Sequence, residues 1–261
     1  MDEAEVVKQM RRTVLQMVYT AREGHLPSSF SIMDLLYVLY RDCLHIDPHH
    51  PKAPDRDRFI LSKGHASAAL YAVLSHFGFF DATHLSTYCQ PGSLLGGHPD
   101  CQKVPGVEAS TGSLGHGIAI GCGLAIGLRQ QGSPRQVVVL VGDGEMDEGS
   151  FWESVMMAKN LALSNLVVIA DCNGSQHYSH SFDYEGILRS MGWQAHTVDG
   201  HHLSELRRDL VPRVRASRTA PLFVRANTQK GYPIRRFTGD HGWHRRTPTE
   251  EEMADLMAEL S

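Results

Sequence analysis

Two short apolar runs constrain this chain more than any other feature: QVVVLV over 136–141 and LVVIA over 166–170. Neither alternates with polar residues, as a strand with one wet face would. Each therefore reads as a strand buried on both sides, the pattern of a parallel sheet. The segment between them carries a helical pattern through 152–161, as a parallel crossover requires. Further strand candidates at 58–62, 194–198 and 221–226 are likewise separated by helix-length stretches. A first helix carries Val6, Val7, Met10, Val14, Met17, Val18 and Ala21, with Asp2 as its N-cap and Gly24 as its stop. Ser31 and Asp34 have the spacing of a capping box for a second helix, and Thr249 and Glu252 that of a box for the last. An Ala/Leu-rich helix is expected from His65 to Phe77, and a Gly-rich one over 115–129. The expected fold class is α/β: a single doubly wound, mostly parallel sheet with helices on both faces. No repeat, low-complexity tract or linker divides residues 1–261.

Charge and cysteine usage narrow the function classes. A formal net charge of −4 leaves no basic footprint for nucleic acid. No apolar run approaches the length of a membrane span, and MDEAEVVKQMRR lacks the apolar core of a signal peptide. Cys43, Cys89, Cys101, Cys122 and Cys172 are an odd set with no CxxC spacing, which favours reduced thiols over disulfides or structural zinc. The expectation is a cytoplasmic protein with neither nucleic acid nor membrane as partner.

In such sheets ligands bind beyond the carboxyl ends of the strands. Gly142-Asp143-Gly144-Glu145 follows the first run directly and leads into a helix whose N-terminus suits a phosphate. Asp171-Cys172-Asn173 ends the second. If those strands are neighbours, Asp143 and Asn173 place a carboxylate and an amide carbonyl at one edge, a hard-oxygen pair suited to Mg2+ and a diphosphate. Taken singly, both segments are common tight turns; together, each capping a buried strand, they favour the metal reading. A third cluster, Ala109 to Gly117, is Gly-rich but lacks the GxGxxG order, and close helix–helix packing explains it equally well. The unpatterned stretch over 88–110 is longer than a filler loop. Of sixteen histidines, His49, His50, His76, His177, His180, His201 and His202 sit among polar residues and read as solvated. His25, His65, His98 and His244 follow Gly or Trp at element boundaries, where a shared polar pocket can form.

Together these residues resemble a known family. GDGEMDEGSFWESVMMAKNLALSNLVVIADCN looks like the thiamine diphosphate signature. GHLPSSFSIMDLLYVLY, DRFILSKGHASAALYAVL, GGHPD, VPGVEASTGSLGHGIAIGCGLAIG and NTQKGYP…WH, in that order, resemble the N-terminal half of transketolases, in particular the separately encoded N-terminal subunit of split transketolases. The resemblance implies a thiamine-diphosphate-binding fold of the diphosphate-binding type, spanning 1–261, with the pyrimidine-binding and C-terminal domains absent. It implies Mg2+ (with Ca2+ or Mn2+ as substitutes) held by Asp143, Asn173 and the carbonyl of Ser175. Gly144, with His65 and His244, would meet the diphosphate, and backbone groups of Gly112 and Leu114 the aminopyrimidine ring; Gly142, Glu145, Asn173 and Ser113 would also bind the cofactor. His25, His98 and His244 would be catalytic, facing the thiazolium C2 and the hydroxyls of the donor. Glu148 and Glu153 match acidic residues that couple two active sites at the subunit interface; a helix turns them about 140° apart, against a direct pair.

The implied activity is transfer of a two-carbon ketol unit from a ketose or ketose phosphate to an aldehyde. The partner would be a separately encoded C-terminal subunit supplying the activating glutamate, in a heterotetramer, and this chain alone would be inactive. The chain departs from the family pattern in a shortened loop after Gln176, at Pro233, and at Arg245, where glycine commonly follows the Trp-His pair. The shortened loop keeps open an α-keto acid donor, as in 1-deoxyxylulose-type synthases or keto-acid dehydrogenase components. A third reading is a non-catalytic regulatory paralogue.

Overall fold

Five strands form one wholly parallel sheet: β1 (Arg58–Leu61), β2 (Val137–Gly142), β3 (Leu166–Cys172), β4 (Gln194–Asp199) and β5 (Leu222–Asn227). Their spatial order is β1-β2-β3-β5-β4, and the register sets Gly142 opposite Asp171. The computed structural model describes residues 2–175, 182–238 and 241–260. The loop after Gln176, with His177 and His180, lies outside the described residues.

Ten helices cover the sheet among the described residues: α1 (Glu3–Ala21), α2 (Leu26–Ser31), α3 (Met33–Val38), α4 (Ser67–His76), α5 (Gly117–Gln130), α6 (Gly149–Asn160), α7 (Tyr184–Ser190), α8 (Leu203–Asp209), α9 (Val211–Arg215) and α10 (Glu250–Glu259). Val138, Leu140, Val167 and Ile169 belong to a core shared with α1, α3, α4, α8 and α10. Val137, Val139, Val141, Val168 and Ala170 belong to a second core with α5, α6 and α7. Both faces are therefore dry, which is why these strands show no polar alternation. The edge strand β4 exposes Gln194 and Thr197.

Three local expectations are corrected. The Ser31/Asp34 box does not form, because the chain breaks between α2 and α3 at Ile32. Ser31 Oγ donates instead to Asp171 across the sheet end, and Asp34 receives Arg11 and His201. The helix expected directly behind Gly144 begins at Gly149, after a 3-10 turn over Asp143–Asp147. That turn is closed by Glu145, whose carboxylate takes the backbone N–H of Gly142 at 3.0 Å. Asp2 occupies the N-cap position of α1 without a side-chain capping bond. The Thr249/Glu252 box at α10 is present in both directions.

Small residues in α5 serve helix-to-sheet contact more than helix-to-helix contact. A Cβ at Gly121 would stand 2.5 Å from Val139 Cγ2, while one at Gly123 would meet nothing within 4 Å. Gly121→Ala should therefore destabilise the chain by about 1–3 kcal/mol through overpacking. Gly123→Ala should stabilise it by about 0.5–1 kcal/mol through backbone entropy. Urea unfolding midpoints for the two variants check this; equal shifts in one direction would contradict the helix-to-sheet packing.

Candidate active site

The carboxyl ends of β1, β2 and β3 open into a cleft of about 510 Å³. Asp143, directly beyond β2, is 2% exposed. Its Oδ1 accepts the Gly144 N–H at 2.8 Å and its Oδ2 the Ser175 N–H at 2.8 Å. Burial, then the neighbouring carboxylate of Asp171, raises its pKa. Among the described residues no cationic side chain forms an ion pair with Asp143. A buried carboxylate with only backbone donors is a site that a divalent cation would relieve. Asn173 stands beside it, its Oδ1 turned to Ser175 Oγ. The carbonyl oxygen of Ser175 faces the same place, 3.9 Å from where a Cβ on Gly144 would stand.

Asp171 organises this end of the sheet. It is fully buried and accepts from Ser31 Oγ, Lys63 Nζ, Asn173 Nδ2 and Thr228 Oγ1. Lys63, 1% exposed, lines the cleft with its charge matched by Asp171. Glu145, also buried, accepts from Ser62 Oγ, from Gly115 N at 2.9 Å and from Gly142 N at 3.0 Å. Its carboxylate ties β1, β2 and the entry to α5 together.

Four histidines line the opposite wall. The rings of His25 and His65 are 5.1 Å apart, His25 and His244 5.2 Å, and His65 and His244 5.8 Å. His98 approaches Gly112 so closely that a Cβ there would fall 2.9 Å from its Cδ2. Burial, then the neighbouring His244, Arg245, His98 and Lys63, lowers the His25 pKa to about 4. Burial, then Lys63 and the other histidines, lowers that of His65 to about 2. Both rings are neutral at physiological pH.

Of the residues singled out from sequence, His25, His65, His98, Gly112, Leu114, Gly142, Asp143, Gly144, Glu145, Glu148, Asn173, Ser175 and His244 all line this cleft. Ser113 is exposed and does not line it, and Glu153 is exposed on α6. The expectation of a solvated His201 is corrected. Its side chain is 8% exposed, with Nδ1 3.2 Å from Asp34 and Nε2 taking the Gln229 N–H at 2.7 Å. Arg11 shares that aspartate. Sequence reasoning misses Lys63 and Asp171 as site residues, although each is the polar residue just beyond or at a strand's end. A separate group, Asp199, His202 and Glu205, brings its ligand atoms within 4.8 Å of one another on the edge strand and α8.

The family model described as "Transketolase, thiamine diphosphate binding domain" matches residues 2–261. The 6-deoxy-6-sulfo-D-fructose transketolase subunit of Clostridium sp. strain MSTE9 is 34% identical over 257 residues, covering 96% of this chain and 93% of that one. An apulose-4-phosphate transketolase subunit of Phocaeicola vulgatus is 34% identical over 258 residues, covering 96% and 91%. The solved transketolase of Leishmania mexicana superposes with a TM-score of 0.89 at 28% identity, covering 100% of this chain and 41% of that one. This chain thus spans about two fifths of a solved transketolase and nearly the whole of each of the two subunits. No helix among the described residues is long and apolar enough to cross a membrane.

The two lowered histidines make the fold acid-sensitive. Between about pH 4 and the ordinary value of 6.5, the folded chain binds fewer protons at His25 than the unfolded chain, so stability rises with pH across that window. The penalty is absent above 6.5 and complete below 4. Lowering the pH from 7 to 5 should cost about 1–2 kcal/mol at His25. His25→Gln should remove that share, and urea unfolding at the two pH values measures it. An unchanged pH slope in the variant would contradict a neutral buried His25.

Proposed function

We propose a function for a chain that belongs to the transketolase, thiamine diphosphate binding domain, family: it is the metal- and diphosphate-holding subunit of a split transketolase. With a separately encoded partner carrying the pyrimidine-binding domain, it transfers a two-carbon ketol unit from a ketose or ketose phosphate to an aldehyde. The observation that carries this reading is the meeting of Asp143, Asn173 and Ser175 with four histidines in one cleft. Both relatives named as subunits match this chain nearly end to end, which supports a second polypeptide as partner.

The residues fit the cofactor. Asp143, Asn173 and the carbonyl of Ser175 form an all-oxygen donor set for Mg2+, and Ca2+ or Mn2+ would use the same atoms. A single carboxylate leaves the ion net positive toward a diphosphate. Lys63, His65 and His244 add donors beside it, and Gly142 and Gly144 allow the close approach of a phosphate to backbone. His98 packs directly against Gly112, and backbone groups of Gly112 and Leu114, both lining the cleft, would meet the aminopyrimidine ring. Bound thiamine diphosphate would supply the electron sink that lets a carbon–carbon bond beside a carbonyl break and re-form. His25, lining the cleft, would take a proton from a donor hydroxyl, and His98 and His244 would hold and return protons at the acceptor.

Ile120 on α5 and Met156, Met157 and Leu161 at α6 are exposed large apolar side chains, a surface the partner polypeptide would cover. Glu148 at the cleft mouth and Glu153 on α6 would couple two sites in a two-plus-two heterotetramer. Five free cysteines accord with a cytoplasmic setting.

Mg2+ with thiamine diphosphate should raise the melting temperature of the complex purified with its partner. The expected stabilisation is about 2.7 kcal/mol at a hundredfold excess over Kd. Asp143→Ala should abolish this shift and the ketol transfer together. Carbon dioxide release from pyruvate without transfer from any ketose would replace the ketol-transfer reading with a keto-acid one.

A further inference from the structure

Two adjacent arginines follow His244 and have different fates. The Arg246 guanidinium stacks 4.0 Å over the Trp243 ring and pairs with Glu252 on α10. It is spent on structure. Arg245 is exposed, lines the cleft with His25, His98 and His244, and forms no hydrogen bond or ion pair among the described residues.

Its place within the cleft can be narrowed. The charge of Arg245 bears on His25, as one of the groups that lower it. The His25 ring lies 5.1 Å from His65 and 5.2 Å from His244, so the charge of Arg245 falls on the histidine cluster of the cleft. An unpaired guanidinium keeps its planar fork of donors available for two oxygens of one anion.

We infer that Arg245 binds an anionic oxygen group of the sugar substrate, a phosphate, sulfonate or carboxylate, and so lets this chain share in substrate choice. The inference rests on the function proposed above. The rival role is an ion pair with an acid of the partner polypeptide.

The test uses the complex purified with its partner and loaded with Mg2+ and thiamine diphosphate. Cofactor content is measured first; failure to load overturns the proposed function, whatever Arg245 does. Calorimetric titration then compares fructose 6-phosphate, fructose and hydroxypyruvate on the native complex, Arg245→Gly and Arg245→Lys. The native complex should bind at least one anion over neutral fructose by about tenfold or more. Arg245→Gly should lose that advantage with cofactor content unchanged, and Arg245→Lys should keep part of it. Selectivity for fructose 6-phosphate identifies a distal phosphate-like group; selectivity for hydroxypyruvate identifies a carboxylate beside the reacting carbon. The same anion-to-neutral ratio in the native complex and Arg245→Gly overturns the inference, as does loss of the partner from Arg245→Gly.

Discussion

The buried pair of Lys63 and Asp171 is the contact on which the cleft depends. Donors from α2, from the end of β1, from beyond β3 and from beyond β5 converge on one carboxylate. Such a pair adds little net stability over an apolar filling, because both charges lose water. Breaking it from one side is costly, about 3–5 kcal/mol, since the remaining charge stays buried. Its contribution is therefore position. By accepting from the Asn173 amide nitrogen, Asp171 leaves the amide oxygen to Ser175, on the cleft that Asp143 also lines.

Polar groups at this end of the sheet divide into two kinds. Asp171 and Glu145 are consumed by hydrogen bonds within the protein and hold β1, β2, β3 and the start of α5 in register. Asp143, the four histidines and Arg245 keep capacity toward the cleft. The low pKa of His25 and His65 follows from the same crowding of burial and positive charge that would receive a diphosphate. A cleft built this way keeps both rings neutral beside positive charge.

Much of this was legible in the sequence. The unalternating valines of β2 and β3 announced a sheet covered on both sides, and the acid and amide beyond them pointed to the edge where Asp143 and Asn173 line one cleft. What escaped were contacts between distant positions. Asp171 lies 108 residues from Lys63 and 140 from Ser31, and no local spacing announces either pair. Ser31 and Asp34 fit a capping box on paper, yet tertiary partners took both side chains. His201 looked solvated because its neighbours in sequence are polar; its partner Asp34 is 167 residues away. Glu145 was expected beside the cofactor, and its side chain proves occupied in shaping the turn that presents Asp143 and Gly144.

The central claim is that the edge between β2 and β3 is a metal–diphosphate site. Anomalous diffraction from crystals of the complex grown with Mn2+ and thiamine diphosphate tests it most directly. The account predicts one strong peak bonded to Asp143, Asn173 and the Ser175 carbonyl, with the cofactor's diphosphate completing its shell. Cofactor in the cleft without an ion there, or an ion confined to Asp199, His202 and Glu205, would contradict it.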